Sequence, residues 1–157
     1  MVEQIQMYKV NKESFVFERY FHPVYQTKIT EADNSVHYDP RKPIEVIEDA
    51  CLDNGSDFNG RIRSMARILG PKKQYLYPAL ISEREAILLQ PMNSYRNDDC
   101  TWINVEHIAS DNTRSHFDYN QLHIQLGEGQ TFSVRCTTKF LQKMLSNHLL
   151  IKSRLLT

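Results

Sequence analysis

The sequence predicts an α+β fold: a mainly antiparallel β core, a short central helix and a C-terminal amphipathic helix. Three observations lead there. The first half is rich in aromatic and β-branched runs broken by turn residues, and a hairpin pattern returns near residue 122. Two windows switch to helical spacing, and no regular alternation of strand and helix marks a parallel sheet. A chain of 157 residues has the length of one domain and can bury a real core, so 1–157 is read as a single unit.

In order, "FVFERY" (15–20) and "VYQTKI" (24–29) read as strands punctuated by His22-Pro23, and "SVHYD" (35–39) and "IEVIEDAC" (44–51) as two more, separated by "PRKP". From Ser56 the period changes. Phe58, Ile62, Met65 and Leu69 recur along one face of a helix, which Ser56 or Asp57 caps and Gly70-Pro71 stops. "QYLYPALIS", "EAILLQP" and "CTWINVEHI" (100–108) read as buried strands. In "LHIQLGEGQTFSVRC", Leu122, Ile124 and Leu126 alternate on one arm and Phe132, Val134 and Cys136 on the other, with Gly127-Glu128-Gly129 as the turn. The final stretch, "TTKFLQKMLSNHLLIKSRLL", is a helix capped by Thr137 or Thr138. Its apolar face holds Phe140, Leu141, Met144, Leu145, Ile151 and Leu155, with His148 near the middle as a hydrogen-bonded core-edge histidine.

Charge is balanced in sum, 19 basic against 19 acidic residues, but not in arrangement. Residues 31–60 hold eight acids against Arg41 and Lys42, whereas 61–84 hold six bases against Glu83. Nothing after Glu128 is acidic, while Arg135, Lys139, Lys143, Lys152 and Arg154 follow. On the first helix Arg63 and Arg67 sit one turn apart, opposite the apolar stripe, with Arg61 at its margin and Lys72 and Lys73 beyond the stop. Lys139, Lys143 and Arg154 group on the polar side of the last helix. Such faces suit phosphates, and arginine also suits a narrow A·T-rich minor groove. The alternative is a solvated face in which Arg63 and Arg67 pair with acids such as Asp57 or Glu83.

Catalytic and metal patterns are absent. Cys51, Cys100 and Cys136 lie too far apart for a Cys-x-x-Cys zinc ligand pair and are read as small buried apolar residues. Cys100 and His107 would fall on opposite faces of one strand, with nothing nearby to hold an oxyanion. No phosphate loop or calcium loop occurs, and no cofactor is implied. No secretory signal or membrane-length apolar run is present, and with unpaired thiols this favours a cytoplasmic protein without a membrane partner.

The succession Cys51…Gly55-Ser56-x-Phe58-x-Gly60-Arg61, then Lys72-Lys73…Pro78, then Cys100-x-Trp102-Ile103…His107-Ile108 resembles the competence transcription factor family, ComK. The resemblance is strongest from Val36 to Ile108. It implies a bacterial regulator of DNA-uptake genes that binds double-stranded DNA at paired A-rich and T-rich promoter boxes through the minor groove, as a homo-oligomer. The nucleic-acid-binding candidates are then Arg61, Arg63, Arg67, Lys72, Lys73, Lys139 and Lys143. Of these, Arg61 alone lies in a family motif, and Gly60-Arg61 also reads as a structural brace. Trp102 reads as core. Studied family members carry a C-terminal extension used by an adaptor and a protease, which makes such a partner a further expectation. This sequence stops at Thr157, soon after its last helix, a departure from that pattern which counts against the same degradation route. Two rivals remain: an interaction protein whose last helix docks on another regulator, and a thiol enzyme using Cys100.

Overall fold

The computed structural model describes residues 6–71, 76–108, 113–126 and 131–155, with backbone alone at 113–115 and 126. Its centre is a six-stranded antiparallel sheet. The strands are β1 (Ser14–Arg19), β2 (Thr27–Glu31), β3 (Val36–Asp39), β4 (Ala79–Ser82), β5 (Ile87–Pro91) and β6 (Trp102–Asn104), in the order β3-β2-β1-β6-β5-β4. Helices α1 (Pro43–Asp53) and α2 (Phe58–Leu69) connect β3 to β4. A four-residue helix, α3 (Val105–Ile108), follows β6. Next comes a three-stranded antiparallel sheet, β7 (Thr113–Asp118), β8 (Gln121–Leu126) and β9 (Thr131–Arg135), and then α4 (Thr138–Leu155).

Alternation along the central strands sorts their side chains into two cores. Phe17, Ile29, Ala79, Ile81, Leu89 and Trp102 pack with Val46, Ile47, Ala50 and Cys51 of α1. Phe15, Val16 and Ile103 pack with Leu122 and Ile124 of β8 and Met144 of α4. A smaller cluster joins Met65 of α2 and Ile151 of α4 to Leu80 and Leu88. Phe58 and Ile62 of α2 belong to the first core, and Met65, Ile68 and Leu69 to the cluster shared with α4. The second helix therefore wraps the β4 edge and leaves its remaining face to solvent.

The α+β class, the antiparallel core and the C-terminal helix agree with the sequence reading, but several elements differ. "IEVIEDAC" is not a strand. Pro43 opens a helix, the Glu45 carboxylate accepts from the Lys42 backbone N–H at 3.0 Å, and the buried positions are Val46, Ile47, Ala50 and Cys51. That spacing is helical, and the adjacent Val46-Ile47 pair breaks the alternation a strand would need. "CTWINVEHI" is strand only from Trp102 to Asn104, because the Asn104 side-chain oxygen accepts from the Glu106 N–H at 3.2 Å and turns the chain into α3. Strand β4 is confined to Ala79–Ser82 within "QYLYPALIS", whose Gln74 and Tyr75 lie outside the described residues, as does the Gly127-Glu128-Gly129 turn. Strand β7 was not foreseen. It joins β8 through Tyr119-Asn120, both with positive φ (46° and 61°), the geometry of a tight two-residue hairpin turn. Asp57 and Thr137 are the residues that cap α2 and α4, accepting from Gly60 N at 2.7 Å and Phe140 N at 3.1 Å.

Candidate nucleic-acid interface

The junction that sets α2 is built from the α1–α2 turn. After α1, Gly55 takes φ 85°, which lets Ser56 N donate back to the Cys51 carbonyl at 3.1 Å. Asp57 then caps α2, and a Cβ on Gly60 would lie 2.6 Å from the capping oxygen, so a side chain there would have to displace the cap. Phe58 meets Trp102 edge-on at 6.1 Å and Tyr95 at 5.2 Å. Two separate parts of the sequence pattern thus touch in the core, and Trp102 is fully buried.

Outside this junction α2 presents Asn59, Arg63 and Arg67, all exposed and spaced by four, which aligns them along one face. Among the described residues neither Arg63 nor Arg67 has a carboxylate within ion-pair distance, so the expected alternative of pairing with Asp57 or Glu83 is not realised. Arg61 differs from them. Its side chain is 15% exposed, its Nη1 reaches Glu83 at 3.4 Å, and its Nε is buried without a partner among the described residues. The bracing role open to it in the sequence is the one its geometry suits.

Lys139 and Lys143 are exposed on α4 and line a groove of about 720 Å³. Pro71 and Leu76, which bracket residues 72–75, line the same groove with Gln90 and Asn147. Lys72 and Lys73 themselves lie outside the described residues. Lys152 is not free, since its Nζ donates to Glu106 at 3.0 Å. The other Glu106 oxygen accepts from His148 Nε2 at 2.8 Å, which ties α4 to α3. Burial lowers the His148 pKa despite the adjacent carboxylate, and its Nδ1 has no hydrogen-bond partner among the described residues, as suits a neutral imidazole. Burial raises the Glu106 carboxyl, but Lys152 and His148 outweigh that and bring it below its ordinary value.

Helix α1 has the opposite character. Glu48 is held above its ordinary pKa by burial and then by the negative charges of Glu45 and Asp49. An acidic helix thus precedes a basic one across a short turn, and Lys139 and Lys143 of α4 share a groove with Pro71, just beyond the end of α2. Asn59 was missed by sequence reasoning, although its spacing from Arg63 and Arg67 was there to be read.

The thiols carry no comparable chemistry. All three cysteines are buried, and burial pushes Cys51 up to about 11 and Cys100 up to about 12, so neither is a thiolate near neutrality. Cys100 Sγ points to the Asn93 carbonyl at 3.5 Å, while His107 Nε2 donates to the Lys12 carbonyl at 2.7 Å.

These features define an α+β domain with charge sorted between neighbouring helices and, among the described residues, no cluster of His, Cys, Asp and Glu suited to a metal. A family model described as ComK, ComK protein, matches residues 5–156, and the chain belongs to that family. ComK proteins are competence-related transcription factors rather than an enzyme family. No curated protein and no solved structure matches the chain. Among the described residues no helix is long and apolar enough to cross a membrane.

Proposed function

We propose that the protein is a cytoplasmic bacterial regulator that binds double-stranded DNA at A/T-rich promoter boxes through the minor groove, as a homo-oligomer. The observation that carries this reading is the pair of exposed arginines on α2, Arg63 and Arg67, with no carboxylate in reach among the described residues. Guanidinium groups without internal partners pair with phosphate oxygens and enter the negative potential of a narrow A-tract groove. Lys139 and Lys143, with Lys72 and Lys73 following Pro71 in the chain, supply a second backbone footing. Arg61 holds α2 to the β4–β5 turn. Paired boxes call for paired subunits.

Binding of labelled A/T-rich and G/C-rich duplexes over a salt series tests the reading. The expected result is a preference for the A/T-rich duplex and an affinity that falls steeply with salt, because counterions released from the phosphates drive association. Equal affinity for both duplexes would remove the groove preference, and no binding to either would remove the DNA contact. An interaction protein that docks through its last helix is less well supported, because Met144, His148 and Ile151 of α4 are buried in this domain.

A further inference from the structure

The three-stranded sheet has one apolar face and one polar face. Leu122 and Ile124 are buried, and Phe117, Phe132 and Val134 pack with them against the second core. On the opposite side the described side chains are all polar: His116 and Asp118 of β7, Gln121, His123 and Gln125 of β8, and Thr131, Ser133 and Arg135 of β9. The register aligns them in rows across the strands. His116 stands opposite His123, which stands opposite Ser133, and Asp118 stands opposite Gln121, which stands opposite Arg135.

A hydrogen-bond chain orders the middle of this face. His123 Nε2 donates to Asp118 Oδ1 at 2.8 Å, and Ser133 Oγ donates to His123 Nδ1 at 2.6 Å. His116 Nε2 donates to the second carboxylate oxygen at 3.1 Å, and its ring stacks on that of His123 with centroids 5.9 Å apart. The Ser133–His123–Asp118 chain has the connectivity of a hydrolytic triad. Its members are exposed or half-exposed on the strand surface, however, and its carboxylate is shared with a second imidazole, which departs from the buried, singly paired acid of such a triad.

Its charge points elsewhere. These strands contain a single carboxylate, Asp118, and two imidazole N–H groups already occupy both its oxygens. Against it stand Arg135, exposed in the Asp118 row, Arg114 at the register position opposite Gln125, and the two histidines. Arginine, glutamine, serine, threonine and histidine are donors that meet phosphate oxygens and base edges. Outer strands of such a sheet are about 10 Å apart, a span that a DNA groove and its flanking phosphates can meet.

We propose that the polar face of β7–β9 is a second contact surface for duplex DNA, with Arg135 on a phosphate and Asp118 acting as a brake on binding. The proposal rests on the DNA-binding reading above and adds a surface separate from α2 and α4. Binding of a labelled A/T-rich duplex by the full chain is measured across salt for the parent, Arg135→Gln, Asp118→Asn and the double variant His116→Gln/His123→Gln. Arg135→Gln should weaken binding and reduce the salt slope by about 0.9, the value of one lost phosphate contact. Asp118→Asn should tighten binding several-fold, and the histidine pair should change affinity while circular dichroism and melting stay at parental values. Opposite signs for Arg135→Gln and Asp118→Asn are what a purely structural role would not produce. Parental affinity and slope in all three variants overturn the proposal while leaving the α2 surface standing. Failure of the parent to bind any duplex overturns both readings. A change in self-association with an unchanged duplex slope overturns the proposal by assigning the face to protein contact.

Discussion

At the β3 end of the central sheet, Arg41 is enclosed by partners. On α2, Arg63 and Arg67 carry the same group into solvent. Arg41 donates to both oxygens of fully buried Asp39, through Nε at 2.9 Å and Nη2 at 2.8 Å, and also to Asp49 at 2.9 Å and the Tyr8 carbonyl at 2.9 Å. Asp39 accepts in addition from Tyr8 N at 2.8 Å and Arg41 N at 2.8 Å. This network fastens the N-terminal segment and the entry to α1 against the sheet. The comparison teaches that charge in a neutral chain serves two ends. Where every donor has an acceptor the charge holds structure, and where none lies in reach it remains available to a partner.

The largest effect that can break this comparison is the loss of Asp39. Asp39→Ala leaves Arg41 and Tyr8 N without their buried acceptor, and removing one member of a buried pair costs about 3–5 kcal/mol. Urea denaturation measures it, and a loss under about 1 kcal/mol would show that the network is not holding the junction. Next in size comes the mirror experiment. Arg63→Glu with Arg67→Glu should lower duplex affinity by roughly 100-fold or more. Stability should shift by no more than about 0.5 kcal/mol per site, since exposed positions contribute little. A double variant that binds as the parent does would move the DNA surface off α2.

Acid sharpens the same contrast. Burial raises the Asp39 carboxyl, but the hydrogen bonds from Arg41 and Tyr8 outweigh it and leave the group below its ordinary range. Glu31 is likewise raised by burial and brought below its ordinary value by Tyr8, Asn11, Ser35 and His37. Depressed carboxylates contribute stability that is fully present above the unfolded value near 4 and lost as pH falls through the folded values. A shallower loss begins earlier, as pH falls below about 6.5, because an unfolded chain takes up the proton that buried His148 resists. Thermal melting between pH 7 and pH 3 should therefore fall in two steps. Asp39→Asn should flatten the lower step and leave the upper one, and an unchanged lower step would remove Asp39 from the acid response.

How legible all this was in the sequence depended on whether the signal was local. Helix α2 was readable because its apolar period, its capping Asp57 and its stop at Gly70-Pro71 all lie within the segment. The β8–β9 arms were readable for the same reason, by strict alternation. "IEVIEDAC" misled because Ile44 and Val46 imitate alternation, while Pro43 and the Glu45 carboxylate that fix a helix start were read as turn and strand. Strand β7 was overlooked because Phe117 is the one apolar residue in Thr113–Asp118, so no alternation shows, and its turn is Tyr119-Asn120 rather than a glycine pair. The exposed state of Arg63 and Arg67 was foreseen from the helical wheel, but the inward pull on Arg61 and the capture of Lys152 depend on Glu83 and Glu106, which lie far off in sequence. The row of His116, His123 and Ser133 needs strand register, which no single strand carries.

The smallest effect concerns how α2 is held in place. Asp57 Oδ1 accepts from Gly60 N at 2.7 Å, and a Cβ at residue 60 would stand 2.6 Å from that same oxygen. Asp57→Ala should cost about 1 kcal/mol through the lost cap. Gly60→Ala sets two effects against each other: about 1 kcal/mol gained from helix propensity and a similar amount lost by displacing the cap. Its net effect on the parent should be near zero. With Asp57→Ala already in place there is no cap to displace, so the same Gly60→Ala change should stabilise by about 1 kcal/mol. Urea denaturation of the four proteins closes the cycle. A coupling of zero would mean that Gly60 is not there for the sake of the Asp57 cap, and that another feature of the Phe58–Arg61 turn requires it.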